Sequence, residues 1–154
     1  MKAMKVRNVL LYYLLSSVKE LGISLPLVFR RITEKVKKDI DYISKEFFGS
    51  KLKTETLESI ARDLADMLVR EEIAEKIDLN FDEGIISIAV HNCCYLSLAQ
   101  TAKQHGEQGC PICLVALAAS IAQSFTKGIA FNEANYESDI ENKKCIIKVT
   151  YSKE

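Results

Sequence analysis

The sequence predicts an α+β fold, with N-terminal helices packed on a small, mostly antiparallel four-stranded sheet and two further helices. Three observations carry this. The first half repeats its apolar residues every three or four positions, the second half contains four runs with β-like composition, and a glycine turn joins the first two of those runs.

Val6, Val9, Leu10, Tyr13, Leu14 and Val18 form one stripe on a first helix that ends near Gly22, and such a stripe is satisfied only against other elements. A second helix is expected from Pro26, a favoured first-turn residue, through Phe29, Ile32, Val36, Ile40, Ile43 and Phe47 to a stop at Gly49. Its other face, with Arg30, Arg31, Lys35, Lys37 and Lys38, reads as a solvated surface. A third helix places Leu57, Ile60, Ala61, Leu64, Leu68 and Ile73 on one side, with Thr54 or Thr56 as its cap.

The period changes at Ile77. Runs 77–81 and 85–91 flank Asp82-Glu83-Gly84, a hairpin pattern whose glycine can take a positive φ. A short helix is expected over 94–103, a polar loop over 104–109 and an Ala- and Leu-rich helix over 111–126, closed by Gly128. Strands 129–136 and 145–151, joined by the polar turn 138–142, complete the sheet. The chain is read as a single domain, 1–154, with a helical part over 1–76 and an α+β part over 77–154.

Bulk composition narrows the function classes. The 154 residues are 48% hydrophobic and 27% charged, with 21 basic residues balancing 21 acidic ones, as in an ordinary globular protein. Zero net charge and the lack of a recognition helix argue against nucleic acid. No apolar run approaches the roughly 18 residues of a membrane span. The apolar stretch near the start lacks a small-residue cleavage site, so a cytoplasmic location is expected. There the five cysteines stay reduced, and metal binding or redox chemistry outranks disulfides.

Those cysteines are the sharpest chemical signal, and they add a metal site to the expected architecture. In Cys110-Pro-Ile-Cys113, two thiolates two residues apart at a turn can both reach one ion at the ~2.3 Å of a zinc–sulfur bond. With Pro111 opening a helix, Cys110 becomes its cap and Cys113 lies in its first turn, where unpaired N–H groups favour negative sulfur. Cys93 closes one strand and Cys145 opens the last, so antiparallel pairing would bring them together and complete four sulfurs. The expected ligands of a Zn2+ ion are therefore Cys93, Cys110, Cys113 and Cys145. Cys94 or His91 could replace Cys93, because alternate residues face opposite ways; Cys93 is preferred, and His91 reads as a strand-end histidine. His105, in a polar loop, reads as solvated. A thioredoxin-like dithiol and an iron–sulfur cluster remain as rivals, although the βαβ context of the first and the dense spacing of the second are missing.

Val90-His-Asn-Cys93, Cys110-Pro-Ile-Cys113-Leu with its small-residue helix, and Cys145-Ile-Ile-Lys-Val149 resemble the four-vinyl reductase family of small-molecule-binding domains over roughly residues 61–151. The resemblance implies an α+β fold, a metal held by cysteines and a pocket for a small, largely apolar molecule. It does not imply reduction of a vinyl group. Where members often carry Cys-x-x-x-Gly-Asp-x-x-Cys near the end, Glu137, Glu141 and Asn142 stand here in place of the first Cys, the Gly and the Asp, and only Cys145 is kept.

Four protein sulfurs leave no open coordination position, so the ion is expected to be structural; binding or sensing of a small molecule is the function that the resemblance implies. A zinc enzyme with an open position, using Cys93, Cys110 and Cys113, is the alternative. No phosphate loop, Gly-x-Ser-x-Gly or His-Glu-x-x-His motif supports catalysis. A third possibility is a dimeric protein-interaction module using Leu11, Tyr12 and Leu15 of the first helix.

Overall fold

The computed structural model describes residues 2–49, 56–107, 110, 113, 125–126 and 128–153. Within them the chain runs α1 (Lys2–Glu20), α2 (Leu25–Lys38), α3 (Ile40–Phe48), α4 (Leu57–Arg70), β1 (Lys76–Asp82), β2 (Ile85–His91), α5 (Leu96–Gln104), β3 (Ile129–Asp139) and β4 (Lys144–Lys153). The expected α+β class is thus observed. The helix expected over 111–126 lies almost wholly outside the described residues.

The four strands form one antiparallel sheet in the order β1-β2-β4-β3. Two hairpins meet along β2 and β4, which become the central strands. Alternation decides their faces: Ile86, Ile88 and Val90 of β2 and Ile147 and Val149 of β4 are buried together under Ile60, Leu64, Met67 and Leu68 of α4. Thr56 begins α4 as expected, its Oγ1 accepting a hydrogen bond from the Ser59 N–H at 3.2 Å.

The first hairpin turns on Glu83 and Gly84. Gly84 has φ +74°, and a Cβ there would lie 3.2 Å from the Tyr151 carbonyl oxygen of neighbouring β4. Gly84→Ala is therefore expected to cost about 1–2 kcal/mol, since the left-handed backbone penalises any side chain and this one also meets main chain. Urea unfolding followed by circular dichroism measures it.

Two helix expectations change. The single helix expected from Pro26 to Phe47 is broken at Asp39 (φ −108°, ψ 28°), whose N–H still reaches the carbonyls of Lys35 and Val36 while its own carbonyl starts α3. Aspartate competes with helical hydrogen bonding and favours such a boundary. Gly49 closes α3 in the left-handed conformation, as expected.

The second change concerns α1. The expected core stripe faces outward: Val6, Leu10, Tyr13 and Leu14 are all more than half exposed. Leu11, Tyr12 and Leu15, expected as an exposed interaction surface, instead pack with Leu98, Ala99 and Ala102 of α5 and with Cys110. Polar partners explain the choice of face. The Asn8 side chain is fully buried and donates to the Cys94 carbonyl (3.0 Å) and Ser97 Oγ (2.6 Å), and the Tyr12 hydroxyl donates to Glu107 at 2.9 Å. A buried amide and phenol need such partners, and only this orientation provides them.

Candidate metal centre

The site is built on the elbow that follows β2. Asn92 takes φ +50°, a left-handed geometry that asparagine tolerates, and its N–H donates to the Lys143 carbonyl at 2.7 Å. The Cys94 N–H donates to the Ile73 carbonyl at 2.8 Å, and the Leu96 N–H to the Cys93 carbonyl at 2.9 Å. Cys93 and Cys94 are thereby held between the end of β2, the exit of α4 and the start of α5.

Register brings Cys145 to this elbow. It pairs with Val90 across β2 and β4, three residues before Cys93, and with Ser138 across β4 and β3. It lies on the core side with Ile147 and Val149, and its sulfur is 3.7 Å from Ser138 Oγ. The expected neighbourhood of the β2 end and the β4 start is thus present.

Cys93, Cys113 and Cys145 all pack against the α4–sheet core. Cys110 is buried in the adjoining cluster between α1 and α5. The Cys110 and Cys113 pair therefore straddles the two apolar clusters, while Pro111, Ile112 and the helix expected after them lie outside the described residues. Tyr95 and Tyr136 lie near enough to the sulfurs to feel their charge. Burial raises the Tyr95 hydroxyl above its ordinary value, with Cys94, Cys93 and Cys110 adding to the rise; burial also raises Tyr136, helped by Cys113 and Cys110. All five cysteines are reduced thiols within this region. Among the described residues, no three His, Cys, Asp or Glu side chains converge as a group that could hold a metal ion.

The adjacent thiols differ. The Cys93 thiol is pushed up because it donates a hydrogen bond to Cys94, and burial adds to this. Cys94 is lowered to about 7 by accepting that hydrogen bond and by its hydrogen bond with Arg7. Cys93 looks to the core and to Cys145, whereas Cys94 looks to Arg7 of α1, whose guanidinium also lies 5.3 Å from the Tyr95 ring centre. Arg7, Asn8, Tyr95 and Tyr136 were not anticipated from sequence. The one available signal was Asn8, a polar residue between apolar neighbours on α1.

The histidines stand apart from the sulfurs. His91 is offset by one position from Val90 and so occupies the opposite sheet face, where its Nε2 is 2.9 Å from Asp78 Oδ2. That hydrogen bond, followed by the one from Lys76, holds the Asp78 carboxyl below its ordinary value. His91→Ala is expected to return the Asp78 pKa toward that ordinary value, as read by carboxyl NMR titration. Because the folded pKa is the lower one, the stabilisation from Asp78 is present above the ordinary carboxylate value and fades as pH falls through the folded one. His105 is exposed, as expected, with its ring 4.8 Å from that of Tyr12 and its Nδ1 2.9 Å from the Thr101 carbonyl oxygen.

Among the described residues no helix is long and apolar enough to cross a membrane. No family model, no curated protein and no solved structure matches the chain.

Proposed function

We propose that the protein is a small-molecule-binding or sensory module of the four-vinyl reductase type, whose fold is stabilised by one structural zinc ion on Cys93, Cys110, Cys113 and Cys145. The observation that carries this reading is the antiparallel pairing of β2 and β4, which puts Cys145 beside the Cys93 elbow and on the same apolar cluster as Cys113. The donor set fits the group: four thiols from two strand ends and one Cys-x-x-Cys segment are the soft ligands that a tetrahedral zinc site uses. When bound, the ion supplies cross-linking of distant chain segments. Cys93 and Cys145 would anchor it to the sheet, with Cys113 of the same apolar cluster and Cys110 of the α1–α5 cluster as the other two ligands. Cytoplasmic residence keeps these thiols reduced.

The bound molecule is taken to be small and largely apolar, on the strength of the resemblance.

Elemental analysis of the purified protein tests the metal, with about one zinc per chain expected for a single site. Cobalt substitution tests the ligands. Intense visible bands of a tetrahedral all-thiolate site support a closed structural centre, and their absence removes it. A second reading, a zinc enzyme with an open position, draws on the separation of Cys110 from the cluster shared by Cys93, Cys113 and Cys145, with those three as ligands in place of the Cys93, Cys110 and Cys113 set expected from sequence. A three-sulfur cobalt spectrum that responds to added cyanide would favour it. Fluorescence of anilinonaphthalene sulfonate, displaced by apolar competitors, tests the ligand site.

A further inference from the structure

We propose that the outward face of α1 is the seam of a homodimer in which the α1 helices of two copies pair antiparallel. The inference stands apart from the metal reading. α1 carries two apolar faces, and Leu11, Tyr12 and Leu15 bind it to α5 through only one of them. On the other, Val6, Leu10 and Tyr13 recur at spacings of four and three, and Ser17 and Leu21 continue the row, with Val9 and Leu14 on its flanks. Spacing of this kind follows the 3.5-residue period of helices that pack on one another along their length. No charged residue interrupts the row between Val6 and Ser17.

The exposed area suits a partner protein. Leu10 is 65% exposed, Leu14 61% and Leu21 79%. At these exposures the five seam side chains Val6, Val9, Leu10, Tyr13 and Leu14 offer on the order of 500 Å² to solvent, so two copies would bury about 1,000 Å² between them, the size at which a specific interface begins.

A second copy fits because the row is self-complementary. With the two-fold axis between Leu11 and Tyr12, Leu10 of one copy meets Tyr13 of the other, and Val9 meets Leu14, as an isologous contact requires. Charge selects the direction. Lys2 and Lys5 lie in the first two turns of α1, while Arg7 turns toward Cys94 and the Tyr95 ring, so a parallel pair would bring like charges together and align the helix dipoles. An antiparallel pair opposes the dipoles and sets the basic start of each helix against the last turn of the other, where Lys19 and Glu20 cancel.

Sedimentation equilibrium of the full chain tests this. The wild-type protein is expected at twice its 17.3 kDa chain mass. The double variant Leu10→Lys, Leu14→Lys is expected at the single mass with unchanged far-UV circular dichroism, and the milder Leu10→Ser should weaken the dimer at least tenfold while leaving the fold intact. A wild-type monomer at every loading concentration would overturn the proposal, as would a double variant that stays dimeric. So would a monomeric wild-type protein that co-sediments with anionic phospholipid vesicles, which would assign the face to a membrane surface.

Discussion

Ile147→Ala is expected to destabilise the protein by about 2–5 kcal/mol, the range for removing a large aliphatic side chain from a core that cannot collapse around the gap. Ile147 has no exposed surface. It sits on β4, a central strand, in register with Ile88 of β2 and Tyr136 of β3, and belongs to the cluster that joins the sheet to α4 through Ile60 and Leu64. Neither flank can move in without disturbing a ladder of hydrogen bonds, so most of the cavity should persist. The chain has no tryptophan, so urea unfolding is followed by far-UV circular dichroism. Lys148→Ala, one residue along and on the other face, is the control and should stay within about 0.5 kcal/mol of wild type. Equal effects at the two positions would mean that the faces of β4 have been assigned wrongly.

The same alternation explains which parts of the fold were legible in the sequence. In β2 and β4 one face is buried, so a period of two in Ile86, Ile88, Val90 and in Ile147, Val149 gives the orientation directly. Gly84 marks the hairpin for a backbone reason that needs no tertiary information. α1 lacks that clarity because its run Val9-Leu-Leu-Tyr-Tyr-Leu-Leu15 is apolar on both sides, and periodicity cannot choose between two apolar faces. The choice is made by Asn8, through partners 86 and 89 residues away, Cys94 and Ser97. The break at Asp39 was hidden for a related reason: the apolar spacing continues through Val36, Ile40 and Ile43 as though the helix were unbroken. At the candidate site, the nearness of Cys93 and Cys145 followed from strand order, since antiparallel central strands must juxtapose one end with the other's start. Arg7 and Tyr136 reach the cysteines from α1 and β3, elements whose approach no local pattern encodes.

The largest expected effect falls on the cysteines themselves. On the proposed zinc reading, removal of the ion by a strong chelator should lower the melting temperature by about 10 °C, and Cys113→Ser or Cys145→Ser should lower zinc content and stability together. The magnitude follows from comparison with small zinc fingers, whose metal contributes ~10–16 kcal/mol because the apo chain has no other core. Here Ile60, Leu64, Ile88, Val90, Ile147 and Val149 form a core of their own. The proposed ion would then have only to fasten the Cys110–Cys113 segment and the β2 elbow to it, worth on the order of 3–5 kcal/mol, at roughly 2–4 °C per kcal/mol in a chain of this size. The adjacent thiols give the sharpest contrast. Cys93 shares the core cluster with Cys113 and Cys145, while Cys94 lies against the Arg7 guanidinium, a cation that repels a second cation. Cys93→Ser is therefore expected to lose zinc and Cys94→Ser to keep it. The reverse result would move the fourth ligand to Cys94 and require Arg7 to swing away on metal binding. Retention of zinc in all five single Cys→Ser variants would exclude a four-sulfur site drawn from these residues.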